Sequence, residues 1–191
     1  MNNNFFALLA RMKYIERWAL MRNTTKENIV EHSFFVSVLA HALACIKRDI
    51  FGGDLSPEKA SSLALLHDAS EIFTGDMPTP IKYYNPEMRK IYGEIEKTAN
   101  ERLINALPEA LTSSYREMID IPEEYKGIIK AADKLSALIK CIEEKNSGNV
   151  EFKSAEESTL NSLKAMNLKE VDYFIENFIP AFSLTLDELE K

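Results

Sequence analysis

The chain has 191 residues, and 30 acidic against 23 basic side chains give it a formal net charge of −7. This length fits one domain, and a hydrophobic fraction of 46% is sufficient for a core. An acidic surface repels a phosphate backbone, so we do not expect a nucleic-acid polymer as a partner. Neither a signal peptide nor a stretch of about 20 apolar residues is evident, which predicts a soluble, cytoplasmic protein with no membrane partner.

The helical spacing of the apolar residues and the presence of only six glycines predict an all-α fold, a single compact helical bundle over residues 1–191. Ser56 and Asn85 each precede a proline, which is typical of a capped helix start. Gly52 and Gly148 are expected just beyond helix ends. The predicted helices are residues 3–14, 27–50, 57–73, 86–106, 108–118, 123–146, 150–165 and 168–180, with a short helix after Thr185.

Two of the three histidines stand out by their position. His32 shares an apolar helix face with Ile29 and Val36, which fits either a core histidine bonded to a backbone carbonyl or a neutral imidazole that binds a metal. His67 follows an apolar run and precedes Asp68, whose burial without a partner would cost roughly several kcal/mol. Either a buried salt bridge or a metal compensates that cost, and the position of the pair on a central helix favours the metal.

The remaining metal ligands are less clear from the pattern. His41 lies on the side of its predicted helix opposite to His32, so the two cannot bind one ion and His41 is predicted to be structural. Asp133 falls with Glu144 on the polar side of predicted helix 123–146, and spacing leaves open whether it is a ligand or a solvated residue. The order His…His-Asp…Asp nevertheless indicates one divalent ion with mixed nitrogen and oxygen ligands.

Three further segments carry candidate functional residues. Glu71, about one turn beyond the His-Asp pair, is either a base that acts on an activated water or a carboxylate that orients a metal ligand. Asp76 lies in a loop fixed by two prolines and either caps a helix or faces the site, and Lys82 at the end of that loop suits a phosphate. Arg17 and Trp18 are either simple packing or a phosphate-binding fork beside a flat wall for a sugar or base.

Together these segments resemble the HD-domain phosphohydrolases, and in particular the bacterial 5′-deoxynucleotidases of the YfbR type. The resemblance covers nearly the whole chain. It is carried, in order, by Arg17-Trp18-Ala-Leu-Met-Arg-Asn, Glu27-Asn-Ile-Val-Glu-His32-Ser, His67-Asp68-Ala-Ser-Glu71, Gly75-Asp76-Met-Pro-Thr-Pro-Ile-Lys82, Ala132-Asp133 and Asp172-Tyr-Phe-Ile-Glu.

The resemblance implies an HD-domain helical bundle that forms a homodimer, binds one divalent metal ion (Co²⁺, Mn²⁺ or similar) and hydrolyses deoxyribonucleoside 5′-monophosphates. Trp18 matches a residue that disfavours a ribose 2′-hydroxyl by its bulk. The implied metal ligands are His32, His67, Asp68 and Asp133. From the resemblance and residue chemistry together, the predicted catalytic residues are Glu71, Asp76 and Arg17. The predicted substrate contacts are Arg17, Trp18, His32, Asp68, Asp76, Thr79, Pro80, Ile81 and Lys82.

The sequence leaves three other functions open. A related HD hydrolase would cut a phosphodiester or a nucleoside triphosphate, although the single metal and the short chain argue against it. A non-catalytic sensor would bind nucleotide without turnover, but it would have no need of Glu71 and Asp76. An all-α interaction protein, with histidines only in its core, would bind no metal.

Overall fold

The computed structural model describes residues 3–82 and 84–191, and within them the regular secondary structure is helical, apart from one isolated antiparallel bridge between Glu16 and Asn28. The predicted all-α class is confirmed. The α-helices of this described part are α1 Phe5–Leu9, α2 Ile29–Cys45, α3 Pro57–Leu65, α4 Glu71–Thr74, α5 Thr79–Lys82, α6 Pro86–Ile104, α7 Glu109–Ile119, α8 Glu123–Asn146, α9 Lys153–Lys164, α10 Lys169–Asn177 and α11 Leu186–Leu189. Short 3₁₀ turns lie at Met12–Tyr14, Val150–Phe152 and Ile179–Ser183.

Several helix ends lie where the sequence predicts them. The Asn85 side chain caps α6 by accepting a hydrogen bond from the Met88 amide at 2.7 Å. Ser56 does the same at the start of α3, accepting from the Lys59 amide at 3.1 Å. Gly148, directly after α8, has a φ of +83°, in the left-handed region that favours glycine.

The predicted helix 57–73 is interrupted at its functional residues. Residues 66–70 form a turn between α3 and α4. Hydrogen bonds in this turn span three residues rather than four, as from the Glu71 amide to the Asp68 carbonyl at 3.0 Å, and this tighter winding ends the helix. The prediction that His67 and Asp68 lie with Glu71 on one continuous helix is therefore wrong.

The helix that carries His32 ends at residue 50 as predicted, but it is more apolar than expected. α2 continues into a π-helical turn at Ile46–Ile50. By length and composition the stretch Ile29–Ile50 is able to cross a membrane, contrary to the expectation that no stretch comes close to this. However, 56% of its most apolar window is buried inside the protein, as in a core helix.

Residue contacts divide the chain into two compact units. The first comprises residues 3–22, Lys26–Phe34 and Leu65–Ile121. The second comprises Asn23–Thr25, Phe35–Ala64 and Pro122–Lys191. A single HD domain over residues 1–191 stays a prediction.

In the first unit, α1, α4, α5 and α7 pack against α6. Leu66 and Ala69, which flank the His67-Asp68 pair, belong to its core, so their burial anchors the turn between α3 and α4. The buried apolar cluster consists of Phe5, Leu66, Ala69, Leu103, Ile104, Leu107 and Ile119.

In the second unit, α8 packs against α9, and the charged side of α8 is only partly the solvated face that the helical wheel predicts, since Lys126 and Lys130 are exposed but other members are not. Lys140 and Glu144 are only 6% and 1% exposed, and Asp133 is half-buried. The wheel is wrong here because it treats every charged residue as solvated, whereas these two side chains form an ion pair inside the protein.

The Glu144 carboxylate is the centre of a buried network. It accepts hydrogen bonds from the backbone amides of Thr24 and Thr25 at 2.9 and 3.1 Å, and from the Asn149 side chain at 2.8 Å. Lys140 donates to Glu144 and to the Thr25 carbonyl. Burial alone would raise the pKa of Glu144, but the hydrogen bonds from Lys140, Thr24 and Asn149 hold it far below its usual range.

Replacing this carboxylate, in Glu144→Gln, is expected to lower the free energy of unfolding by about 3–5 kcal/mol near neutral pH, because the Lys140 ammonium loses its buried counter-charge. Because folding lowers the pKa, this contribution is present above the ordinary carboxyl pKa of 4.5 and is lost as the pH falls below it. Urea denaturation of both proteins over a range of pH measures the difference.

The control for this experiment is Glu123→Gln, which removes an exposed carboxylate that pairs with Lys126 on the same helix. An exposed pair contributes little, so the control should unfold almost as the parent protein does. Equal losses in the two variants would contradict the assigned role of Glu144.

Candidate functional site

His32 is placed by a capping box at the start of α2. The Asn28 side chain accepts hydrogen bonds from the amides of Val30 and Glu31 at 2.9 and 3.1 Å. In return the Glu31 carboxylate accepts from the Asn28 amide at 3.0 Å. This reciprocal bonding fixes the first helical turn, in which His32 is fully buried.

His32, His67 and Asp68 form a cluster of metal-ligand type within the first unit. Asp68 Oδ2 lies 3.1 Å from His67 Nε2 and 3.5 Å from His32 Nε2. One potential ligand atom from each residue lies within 4.8 Å of the other two. Two imidazole nitrogens and a carboxylate oxygen so close together fit a divalent transition-metal cation.

The Asp68 carboxylate is the negative centre of this cluster. Arg17 Nη1 lies 3.6 Å from Asp68 Oδ2. Burial alone would raise the pKa of Asp68, but His67, His32 and Arg17 hold that pKa well below its usual range. Asp68 is therefore ionised near neutral pH, as a metal ligand must be.

Glu71 opens α4 and is nearly buried, at 5% exposure. Burial, followed by the nearby carboxylates of Asp68 and Asp76, raises the pKa of Glu71 to about 9, while Arg17 and Lys82 act in the opposite direction. Its Oε2 atom has no hydrogen-bond partner among residues 3–82 and 84–191. A buried carboxyl oxygen without a hydrogen-bond partner fits a binding site in which a substrate, water or ion contacts that oxygen.

Asp76 and Lys82 lie just beyond α4, in the segment predicted to be a loop. Asp76 is half-buried, and the short helix α5 forms within the segment. Lys82 Nζ donates to Glu96 Oε1 at 2.7 Å and lies 4.6 Å from the centre of the Tyr92 ring, so its ammonium is held against α6. The exposed residues of α5 are Thr79, Pro80 and Ile81.

Arg17 and Trp18 are half-buried in the irregular segment that precedes α2. The Trp18 indole N–H donates to Glu27 Oε2 at 2.9 Å, and Arg17 Nε lies 3.5 Å from the same oxygen. Sequence reasoning did not single out Glu27 or Glu96. The only signal for Glu27 was its place in a segment that resembles the family, and there was none for Glu96.

Two sequence candidates lie outside the three-residue cluster. Asp133 is half-buried on α8, in the second unit, and its role as a fourth ligand stays a prediction. His41 is exposed, and its Nδ1 lies 3.6 Å from the sulfur of Cys45, one turn further along the helix.

A groove of about 340 Å³ lies along α4 and α6 of the first unit. It is lined by residues that include Phe73, Ile91, Ile95 and Arg102. None of the predicted site residues lines it.

Comparison with known proteins identifies the family. A family model described as 5′-deoxynucleotidase YfbR-like matches residues 4–182. The chain belongs to the YfbR-like family. Among YfbR-like relatives, the 5′-deoxynucleotidase of Pectobacterium atrosepticum is 48% identical over 192 residues, 99% of this chain and 96% of its own. The 5′-deoxynucleotidase YfbR of Escherichia coli is 46% identical over 192 residues, with the same coverage of both chains. The resemblance drawn from the motifs is confirmed.

Solved structures share the fold of this YfbR-like chain. An HD-domain phosphohydrolase from Listeria innocua has a TM-score of 0.82 at 23% identity, covering 98% of this chain and 92% of that one. A cyanophage S-2L HD phosphohydrolase, bound to dA and one catalytic Zn²⁺ ion, has a TM-score of 0.65 at 21% identity, covering 91% and 95%. At these identities the likeness shows the HD-domain phosphohydrolase fold alone, which was the fold predicted.

The cluster predicts that metal binding depends on His67 and Asp68. We expect the purified protein to hold one divalent ion per chain. His67→Ala or Asp68→Asn should weaken metal binding by at least about 100-fold, because loss of a residue that only supports a ligand already costs up to about that much. Isothermal titration of metal-stripped protein, with elemental analysis, measures this.

His41→Ala is the matched control, because it removes the remaining histidine of the chain, which the structure places outside the cluster. It should bind the ion as the parent protein does. Metal binding that survives in Asp68→Asn, or that is lost equally in His41→Ala, would contradict the assignment.

Proposed function

We propose that this protein is a metal-dependent phosphomonoesterase that hydrolyses deoxyribonucleoside 5′-monophosphates to deoxyribonucleosides and phosphate. The observation that carries the proposal is the cluster of His32, His67 and Asp68 beside Arg17, which joins ligand atoms for a divalent ion to a guanidinium suited to phosphate. Relatives 46–48% identical along nearly the whole chain are named 5′-deoxynucleotidases, which supports the same reaction here.

The residues that would hold the ion are His32, His67 and Asp68, with Asp133 as the fourth ligand by its match to the family pattern. The mixed nitrogen and oxygen set suits Co²⁺, Mn²⁺ or a similar ion. When bound, such an ion polarises a phosphoryl oxygen and lowers the pKa of a coordinated water.

Two basic side chains bind and orient the phosphate. Arg17 offers a planar fork of donors that matches two phosphoryl oxygens, and Lys82 offers a compact charge at the end of α5. Lys82 is close enough to Glu71 for its charge to lower that pKa, which supports a common site for both. Thr79, Pro80 and Ile81 complete the substrate contacts next to Lys82.

Glu71 and Asp76 transfer the protons. Glu71 orients the attacking water and accepts its proton, and Asp76 donates a proton to the leaving 5′-oxygen. Burial and the Asp68 and Asp76 charges raise the pKa of Glu71 to about 9, and a divalent charge nearby would oppose this shift because it favours the ionised carboxylate. The carboxylate is then available as a base at neutral pH.

Trp18 selects the sugar. Its indole provides a flat wall whose bulk excludes a 2′-hydroxyl while it accepts a deoxyribose. Apolar walls reject an added hydroxyl by only about 100-fold, so the preference is strong without being absolute. His32 and Asp68 line the substrate site as well as holding the ion.

The enzyme acts in the cytoplasm, as a homodimer, on a small nucleotide rather than on a nucleic-acid polymer. The exposed apolar side chains of Val30 and Phe34, one turn apart on α2, support self-association. The net charge of −7 disfavours a long polyanion, whereas Arg17 and Lys82 suffice for one phosphate. A monomer in sedimentation experiments would argue against the dimer.

The reaction is tested by phosphate release from dAMP and from AMP as divalent ions are returned to metal-stripped protein. We expect turnover of dAMP up to about 100-fold faster than that of AMP, and a smaller difference in Trp18→Ala. Tyr14→Ala, which removes an exposed aromatic ring from the turn before the site, is the control and should leave the ratio unchanged.

Each result of this assay has a distinct meaning. An AMP rate that does not change in Trp18→Ala would refute the role of the indole wall. Release of pyrophosphate or triphosphate in place of phosphate would indicate a different HD hydrolase. Bound metal without turnover of any nucleotide would indicate a sensor.

The proton-transfer roles predict that Glu71→Gln and Asp76→Asn each lower kcat by about 10²–10⁴-fold, the usual worth of a general acid or base, while metal binding is retained. The pH profile of kcat should lose its acidic limb in Glu71→Gln, because the base is then absent. Glu87→Gln, an exposed carboxylate at the start of α6, is the control. Wild-type rates in either site variant would remove that residue from the mechanism.

A further inference from the structure

We propose that Glu27 is a positioning residue that sets the preference for deoxyribose by holding the Trp18 indole in place. The proposal rests on the proposed function, since it concerns the selectivity of that same site. Neither the motif analysis nor the ligand cluster assigns a role to this carboxylate.

One nearly buried carboxylate contacts three residues that serve different parts of the proposed site. Glu27 Oε2 accepts the Trp18 indole hydrogen bond at 2.9 Å and lies 3.5 Å from Arg17 Nε. Its Oε1 lies 3.8 Å from His32 Nδ1. The Glu27 side chain is only 16% exposed, so water competes weakly for these contacts. The residues proposed to contact the sugar (Trp18), the phosphate (Arg17) and the metal (His32) therefore all lie next to the Glu27 carboxylate.

The backbone fixes Glu27 opposite the segment that it holds. The Arg17 amide donates to the Glu27 carbonyl at 2.9 Å, and the Ile29 amide donates to the Ile15 carbonyl at 3.0 Å. Between these two hydrogen bonds lies the antiparallel bridge that pairs Glu16 with Asn28. The short ladder sets the register of the two segments. The backbone therefore already holds the Glu27 carboxylate within reach of the Trp18 indole.

Trp18 itself has a conformation that its surroundings must maintain. Its φ is +59°, in the left-handed region that residues other than glycine rarely adopt, above all bulky ones. Such strained residues persist where other contacts determine the structure, and they are concentrated at functional sites. The hydrogen bond from the indole N–H to a charged acceptor is a contact of this kind, because it restricts rotation of the ring about its side-chain bonds.

Selection by bulk depends on the exact position of the wall. A hydroxyl is excluded only while the ring stands in the space that the hydroxyl would take, and displacements of about 1 Å are enough to change rates strongly. If Glu27 holds the ring, then loss of its acceptor atom admits the 2′-hydroxyl and raises turnover of AMP relative to dAMP. A carboxylate that merely stabilised the fold would change both rates in parallel.

Three variants separate these possibilities. Glu27→Ala removes the acceptor, Glu27→Gln keeps an oxygen acceptor but removes the charge, and Glu16→Gln removes an exposed neighbouring carboxylate that pairs with Lys26 at 2.6 Å. Because Trp18 is the only tryptophan of the chain, its fluorescence reports on this contact without any assay of activity. Circular dichroism verifies that each variant retains its helical content.

In Glu27→Ala, we expect the ratio of kcat/KM for dAMP to that for AMP to fall about tenfold, part of the roughly 100-fold that such a wall provides. The Trp18 emission should move to longer wavelength as the indole becomes solvated. Glu27→Gln should stay closer to wild type in both measurements, and Glu16→Gln should match wild type in both.

Two results would overturn the proposal: an unchanged ratio in a folded Glu27→Ala protein, or an unchanged Trp18 emission. Failure of the wild-type protein to hydrolyse dAMP would instead refute the proposed function. Fluorescence titration with dAMP and AMP would then still measure whether Glu27→Ala alters the preference in binding, and an unaltered preference would overturn the proposal on its own.

Discussion

The cluster of His32, His67 and Asp68 depends on the negative charge of the Asp68 carboxylate. A carboxylate removed from water is costly unless polar or positively charged groups surround it, and Asp68 is met by His67, His32 and Arg17 at 3.1, 3.5 and 3.6 Å. These groups come from three stretches of chain: the irregular segment before α2, the first turn of α2, and the turn between α3 and α4. Satisfying one charge therefore brings together segments that are distant in sequence, and their ligand-type atoms meet within one cluster.

The surroundings of Asp68 and Glu71, three residues apart, shift the pKa values of the two carboxyl groups in opposite directions. His67, His32 and Arg17 hold the pKa of Asp68 low, whereas burial and the charges of Asp68 and Asp76 raise the pKa of Glu71 to about 9. Divergent environments for neighbouring acids let proteins give different protonation states to the same side-chain chemistry. The tight turn separates the two groups, because α3 ends before the His67-Asp68 pair and α4 begins at Glu71.

The sequence predicts the parts of this arrangement that depend on rare residue types and on local chemistry. His32, His67 and Asp68 are recognisable because polar ligands within apolar runs need a partner, and the starts of α3 and α6 are recognisable from Ser56 and Asn85. The all-α class follows from the helical spacing of the apolar residues and the small number of glycines.

Features that arise from tertiary contacts could not be predicted in the same way. Nothing in the apolar run before His67 indicates that a helix should end there, because the turn is held by burial of Leu66 and Ala69. Lys140 and Glu144 look solvated on a helical wheel, since the amides that bind Glu144 are as much as 120 residues away along the chain. Glu27 is ordinary in sequence, and only its contacts distinguish it.

The anchoring of Thr24 and Thr25 by Glu144 has a consequence for ligand affinity. The connection between Trp18 and α2 has little regular structure, and such a connection normally loses conformational entropy when a ligand orders it. Here the backbone amides of Thr24 and Thr25, in the middle of the connection, already donate hydrogen bonds to the Glu144 carboxylate, so this part of the chain is ordered before a ligand binds. The free protein has therefore already lost that entropy on folding, so that more of the contact energy with a nucleotide appears as affinity.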